Sequence, residues 1–249
     1  MGAERESVMQ VGAPGAGHAL DLTVDAHVHT GFAAGRDSVG VIVSSADRAG
    51  LTALTFADQA GPDTAWLPAY ADAIRRASRR TELTLRIAAE VEVVRPDGWL
   101  ALPADLGDLE ALSVAVSRLP YGSTTLSPRD VRGLLADGRL TPEQVAEILI
   151  EVTVNGLDRA ARYAPTQLAR PLGLLAEVGL DDSAVTSELL GALIDACWTT
   201  GTAVEISEAW RSPSVRVVTD LRESGVPLMA ASDARYADVV GRWQYVRRV

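Results

Sequence analysis

The chain lacks several residue types, and each absence limits what it can do. It contains no lysine, so every basic side chain is an arginine, and its formal net charge is −10 at pH 7. An acidic chain without a basic run is a poor match for nucleic acid or an anionic membrane surface, so we expect neither as a partner. The one cysteine, Cys197, excludes an intramolecular disulfide. Its apolar surroundings are typical of a core thiol in a reducing cytoplasm.

Long apolar runs are missing as well. No stretch approaches the roughly 18 apolar residues of a membrane span, and no basic start precedes a short apolar segment as in a secretory signal. We therefore expect a cytoplasmic protein. Residues 1–20, rich in Gly and Ala without periodicity, predict a flexible leader. Residues 21–249 predict one domain, because a chain of 249 residues that is 47% hydrophobic is long enough for one sizeable core.

Short apolar runs alternate with longer helical patterns from residue 22 onward. The predicted strands are Leu22–His27, Leu51–Ala57, Leu83–Val94, Ala111–Val116, Thr166–Ala169, Ala203–Ser207 and Pro227–Ala231. Capping residues and closing glycines predict helices from Ser38 to Gly50, from Thr141–Pro142 onward, from Asp182 to Thr200, and from Ser212–Pro213 to Gly225. This alternation predicts an α/β fold with a parallel sheet. Because the strands are apolar almost throughout, helices should cover the outside of a sheet or barrel.

Polar residues fall at or near the ends of these strands. They are His27, His29, Asp58, Gln59, Glu90, Ser117, Arg170, Glu205, Asp233 and Arg235. In a parallel barrel, the carboxyl ends of all strands lie on one face, so residues far apart in sequence meet there. The sequence therefore predicts a functional site on that face.

A histidine pair opens this set. In an extended chain, His27 and His29 project to the same side, because side chains alternate with period two. Such a pair is weak on its own, since it is also common as an ordinary surface or core pair. Two carboxylates at strand ends, Glu90 and Asp233, complete a ligand set suited to one divalent Zn, Mn or Fe ion.

Several segments together resemble the PHP (polymerase and histidinol phosphatase) family. Val24–Thr30 resembles its D-x-H-x-H-T motif, and Ala231–Arg235 resembles its SDAH segment. Five more segments match in family order; they are Leu54–Gln59, Ala89–Glu92, Ser113–Pro120, Leu168–Pro171 and Ala203–Ser207. The resemblance implies a distorted (β/α)7 TIM-like barrel of PHP type.

The resemblance also implies which ligands are present and which are replaced. Proteins of this family assemble up to three metal ions, and the ligand set of one ion is complete here: His27, His29, Glu90 and Asp233. At the other two positions, the family's histidines are replaced by Gln59, Ser117, Arg170 and Arg235. A site for a single ion is therefore expected.

Arg170 and Arg235 are candidate catalytic residues, because a guanidinium binds phosphate or carboxylate through paired hydrogen bonds. Alternatively, they end strands in solvent or pair with acids such as Asp233 or Asp58. Asp58 is the third candidate, either as a general base or as the partner of a ligand histidine.

The resemblance favours a metal-dependent hydrolase that acts on a small anionic metabolite, with a phosphoester as the first choice. A second interpretation is a lyase, isomerase or cyclase of a biosynthetic pathway that uses one ion as a Lewis acid. A third is a non-catalytic ligand-binding relic. Retention of one complete ligand set argues against the third.

Overall fold

The computed structural model describes residues 19–249. Most of the predicted leader, with His18, lies outside the described residues. The strands are β1 (Val24–Val28), β2 (Ala53–Gln59), β3 (Thr84–Glu92), β4 (Ala111–Ala115), β5 (Leu119–Tyr121), β6 (Thr124–Leu126), β7 (Thr166–Leu168), β8 (Ala203–Ser207) and β9 (Leu228–Ala231). Each of the seven predicted strands is confirmed, with ends that agree to within two residues.

Seven of these strands form one parallel sheet in the order β1-β2-β3-β4-β7-β8-β9, and β5 and β6 form a separate antiparallel hairpin. The sheet then curls back on itself. The backbone N–H of Asp233, just after β9, donates to the carbonyl of His27 at 2.9 Å, and that of His29 donates to the carbonyl of Ala234 at 2.9 Å. The fold is therefore a nearly closed seven-stranded parallel barrel, which confirms the predicted α/β, distorted (β/α)7 TIM-like architecture.

Helices cover the outside of the barrel. They are α1 (Val39–Ala49), α2 (Leu67–Ser78), α3 (Pro128–Ala136), α4 (Pro142–Ala160), α5 (Gly173–Glu177), α6 (Ser187–Thr200) and α7 (Val215–Glu223). Their ends follow ordinary capping chemistry. Gly50 ends α1 in the left-handed conformation, and Thr141 opens α4 with a reciprocal capping box to Gln144.

Two predicted helix starts were wrong. The helix expected from Ser212 begins after Ser214, whose hydroxyl accepts from the N–H of Val217, and it ends at Glu223. The Ser212 hydroxyl instead donates to the carbonyl of Pro171. The stretch from Asp182 divides into a short 3-10 turn and α6, because Thr186 provides a second cap.

The core lies between the sheet and these helices. One apolar cluster joins α4 and α6 to β3, β4 and β7, and a second joins α1 and α2 to β1 and β2 around the fully buried Phe56. Burying both faces of the sheet explains why the strands are apolar almost throughout. Among residues 19–249, no helix is both long and apolar enough to cross a membrane.

Candidate metal centre

The two histidines project from the end of β1 into the barrel. The pairing of β1 with β2 shifts register between Asp25 and Val28, so an irregularity lies beside His27. Such irregularities redirect a side chain next to functional sites. The two imidazole rings lie with their centres 4.8 Å apart, and both side chains are buried.

Glu90 reaches the two histidines from β3, and Asp233, in the turn after β9, lies beside His29. Ligand atoms of His27, His29 and Glu90 all lie within 4.8 Å of one another. An oxygen of Asp233 lies 2.9 Å from Nε2 of His29. The structure thus groups three of the four residues predicted as metal ligands, and the fourth, Asp233, contacts His29.

Three buried atoms of this group are left without a hydrogen-bond partner. They are Nε2 of His27, Nδ1 of His29 and Oδ2 of Asp233, three of the five such side-chain atoms found in the described part of the chain. An orphaned buried polar atom is costly and is rare in folded proteins. The nitrogen of an imidazole and the oxygen of a carboxylate are suitable ligands for a divalent ion, so the chemistry of these residues fits a metal site.

Glu205 contacts the ring nitrogen of His27 that faces away from the other candidate ligands. Both oxygens of its buried carboxylate lie 3.1 Å from Nδ1 of His27. Ser113 and Gln167 donate to the same carboxylate at 2.7 and 2.6 Å. This contact leaves Nε2 of His27 facing the other ligands, which is the usual way in which a carboxylate fixes the ring of a ligand histidine.

Asp58 is engaged in a local network at the end of β2. Its Oδ1 accepts from the backbone N–H of Thr30 at 2.8 Å and lies 3.7 Å from Nδ1 of His29, and its Oδ2 accepts from the hydroxyl of Thr30. Its hydrogen bonds therefore go to Thr30, while the 3.7 Å separation from Nδ1 of His29 is longer than a hydrogen bond.

The electrostatics of the site favour a positive charge near the histidines. Burial by itself lowers the pKa of His27, but the carboxylates of Glu205, Glu90 and Asp233 raise it well above the ordinary value. Burial likewise opposes ionisation of Asp233, yet the hydrogen bond from His29 and the charges of His27 and Arg170 lower its pKa to about 2. The same carboxylates would also stabilise the positive charge of a divalent ion.

Arg170 lies in this site, next to Glu90. Its Nη1 and Nη2 atoms donate to the two oxygens of Glu90 at 2.5 and 2.7 Å, and Nη2 also donates to Ser117 at 2.7 Å. The structure therefore shows the carboxylate pairing that was the alternative to anion binding, although with Glu90 as the main partner. Gln59 donates to the same carboxylate at 3.1 Å.

Arg170 and Asp233 share an unusual backbone conformation. Their φ angles are 34° and 53°, in the left-handed region that residues other than glycine and asparagine rarely adopt. Each is the second residue after a barrel strand, and the two side chains approach each other to 3.7 Å. Strained conformations of this kind cluster at functional sites.

Arg235 lies apart from Arg170, on the exposed rim of the barrel. It lines a cavity of about 590 Å³ together with Glu177, Trp210, Tyr236 and Asp233. Asp233 is the buried member of this group, so the cavity reaches one of the four candidate ligands from solvent. A cavity of this size suits a small molecule, and the exposed guanidinium suits an anionic group.

A larger groove of about 760 Å³ lies outside the barrel, between α1, α2 and residues 31–38. None of the four candidate ligands lines this groove. The smaller cavity, by contrast, is lined by one of them, Asp233.

Sequence reasoning missed four residues that support the site: Thr30, Glu92, Ser113 and Gln167. Ser113 is the polar residue of the otherwise apolar β4, and that placement is a signal for an inward-facing polar contact. Gln167 follows another polar residue, Thr166, in the three-residue β7, so its signal is weaker. Thr30 ends the segment that resembles the D-x-H-x-H-T motif, but that resemblance assigned it no role. Glu92, which accepts from the backbone N–H of Ser117 at 2.9 Å, carries no comparable signal.

Solved structures with a similar fold were found by comparison. The chain is similar to a protein from Listeria monocytogenes that is provisionally called a histidinol phosphatase, with a TM-score of 0.68 and 13% identity over 88% of this chain and 97% of that one. An HpcH/HpaI aldolase from Desulfitobacterium hafniense aligns at a TM-score of 0.40 and 11% identity over 84% and 85% of the two chains. That likeness is too low to carry an argument. No family model matches the chain, and no curated protein matches its sequence.

The first similarity shows a shared fold, since identity of 13% shows no more than that. The chain is thus an α/β barrel with a buried His27–His29–Glu90 group that could hold a metal ion.

Proposed function

We propose that the chain is a metal-dependent hydrolase of the PHP family that holds one divalent ion and acts on a small anionic phosphoester. The observation that carries the proposal is the convergence of His27, His29 and Glu90 on one point, with Asp233 beside them. The ordered match of seven sequence segments to the family and the shared barrel fold support the same assignment.

His27, His29, Glu90 and Asp233 would hold the ion. When bound, a divalent ion of this kind polarises a phosphoryl oxygen and lowers the pKa of water. Glu205 fixes the ring of His27 through Nδ1, and Asp58 with Thr30 supports His29. The protein's own contribution is therefore to orient the ligands and to exclude water from the buried side of the site.

The residues at the rim of the cavity would bind the substrate. Arg235 is exposed there and would bind the anionic group, while Trp210 and Tyr236 provide apolar walls for the rest of a small molecule. Arg170 contributes through Glu90, because its guanidinium hydrogens are already donated to that carboxylate and to Ser117.

The test is release of phosphate from a panel of phosphate monoesters by the metal-loaded protein. Asp233→Asn should abolish turnover, whereas Asp238→Asn, which changes an exposed carboxylate on the same segment, should leave it intact. Absence of phosphate release from every ester by a protein that holds its ion would contradict the phosphoesterase assignment.

One observation favours a second candidate, a lyase, isomerase or cyclase that uses the ion as a Lewis acid. Arg170 is committed to Glu90, which leaves Arg235 as the exposed cation among the residues that line the described cavity. Phosphoryl transfer benefits from several cations, whereas one ion suffices to polarise a carbonyl. Turnover of non-phosphorylated acids without phosphate release would support this candidate.

A further inference from the structure

Arg170 is surrounded by carboxylates on the inner face of the site. Beyond its paired hydrogen bonds to Glu90, its Nη2 atom lies 3.5 Å from an oxygen of Glu92, and its Nη1 atom lies 3.7 Å from Oδ2 of Asp233. Three carboxylates from β3 and from the turn after β9 therefore share one guanidinium.

The guanidinium is buried in this position and packs against Trp210. Only 6% of Arg170 is exposed, and the ring of Trp210 lies 5.1 Å from its central carbon. Carboxylates this close together, in a buried place, repel one another unless a cation lies between them. An arginine provides that cation permanently, because it does not lose its proton in proteins.

Glu90 links this group to the proposed metal position. Its Oε2 atom lies 2.5 Å from Nη1 of Arg170 and 3.3 Å from the unpartnered Nε2 of His27. One carboxylate thus faces the metal position on one side and a fixed positive charge on the other. The guanidinium fills the space between Glu90 and Ser117.

We propose that Arg170 is a built-in cation that takes the place of a second divalent ion beside the His27–His29–Glu90–Asp233 site and so limits the chain to one ion. This inference rests on the metal site of the proposed function. It goes further because it states that Arg170 determines how many ions the site accepts. Arg170 is then a positioning residue that acts through Glu90.

The experiment is titration of the metal-free full chain with Mn²⁺, with bound ions counted by equilibrium dialysis and their environment followed by electron paramagnetic resonance. The wild-type chain and Arg170→Lys, which keeps a positive charge, should each bind about one ion. Arg170→Ala should bind about two, and its spectrum should show two coupled Mn²⁺ ions. Arg216→Ala removes an exposed arginine that pairs with Asp182, and as a control it should leave the count at one.

The outcomes separate this inference from the proposed function. A wild-type chain that binds no Mn²⁺, and no Zn²⁺ or Fe²⁺ in the same titration, overturns both the proposed function and this inference. A wild-type chain that binds one ion, together with an Arg170→Ala variant that also binds one or fewer, overturns the inference alone. A wild-type chain that binds two ions overturns it as well.

A second measurement applies if Arg170→Ala folds poorly. Its refolding yield and Tm are compared in excess Mn²⁺ and in excess chelator. Because Mn²⁺ should replace the missing positive charge, the gain from Mn²⁺ should be larger for Arg170→Ala than for the wild-type chain. An equal gain, or no recovery in either condition, contradicts the inference.

Discussion

Both carboxylate oxygens of Glu205 lie 3.1 Å from Nδ1 of His27, although the two residues are 178 positions apart. The contact joins β8 to β1 across the inside of the barrel. It fixes which nitrogen of His27 faces Glu90, and it makes Glu205 part of the site although it is not among the four ligands.

Glu205→Gln should therefore weaken metal binding. Loss of such a supporting carboxylate lowers metal affinity by about 10- to 100-fold, because the ring of the ligand is less basic and less well oriented. Affinity for Zn²⁺ can be measured by competition with a chelating dye.

The matched control is Glu223→Gln, the same substitution at an exposed carboxylate at the end of α7. This variant should bind Zn²⁺ like the wild-type chain. If Glu205→Gln stays folded and also binds Zn²⁺ like the wild type, the supporting role of Glu205 is wrong.

Gly35→Ala should damage the site through the backbone. A Cβ at Gly35 would lie 2.6 Å from the carbonyl oxygen of His29 and 2.8 Å from the carbonyl carbon of Thr30, so the segment that holds His29 would have to move. We expect weaker metal binding and a loss of about 1–3 kcal/mol in the free energy of unfolding, as in other overpacked positions.

Gly40→Ala is its control, because a Cβ there meets nothing within 4 Å and Gly40 lies inside α1. This variant should gain about 0.5–1 kcal/mol in stability from the better helix propensity of alanine. Urea unfolding and metal titration of both variants provide the comparison. Equal metal affinity in the two would contradict the role of Gly35.

Arg235→Ala should raise KM for a phosphate monoester such as p-nitrophenyl phosphate, without changing the number of bound ions. A charged hydrogen bond contributes about 1.5–3 kcal/mol, which corresponds to about 10- to 100-fold in binding. Arg242→Ala removes another exposed arginine from the same C-terminal segment, outside the cavity, and should leave KM unchanged. An unchanged KM in Arg235→Ala would remove Arg235 from the substrate site.

Cys197 should resist thiol reagents in the folded protein. Burial raises the pKa of its thiol to about 12, so the reactive thiolate is scarcer than in an exposed cysteine. At about pH 8, a pKa near 12 leaves roughly one thiolate in ten thousand thiols, against about one in four for an ordinary cysteine. Labelling with a disulfide reagent should be slow before unfolding in guanidinium and fast after it. Fast labelling of the native chain would show that Cys197 is not in the core.

The strands and the grouping of His27, His29 and Glu90 could be predicted from sequence because their signals are local. An apolar run such as Ala203–Ser207 defines a strand by itself, and a polar residue at its end marks the face where strands converge. The helix opened by Ser212 was misplaced, since Ser212 and Ser214 both fit a cap and only their tertiary contacts distinguish them.

Long-range pairings could not be predicted. Arg170 and Glu90 are 80 residues apart, and sequence alone left anion binding and ion pairing as alternatives for Arg170. Nη2 of Arg170 lies 2.7 Å from Oε1 of Glu90 because the order of strands in the barrel brings the ends of β3 and β7 to one face. The left-handed backbone at Arg170 also contributes to this contact. No pattern in the local sequence predicts either feature. The leader over residues 1–20, the domain bounds and the cytoplasmic location stay predictions.

The metal content of the purified chain tests the central claim most directly. Mass spectrometric metal analysis, after dialysis against Zn²⁺, Mn²⁺ or Fe²⁺ and removal of the excess, should give about one ion per wild-type chain. The same analysis should give none for the double variant His27→Ala, His29→Ala. A folded wild-type chain that retains no ion, or a double variant that retains as much as the wild type, would contradict the account.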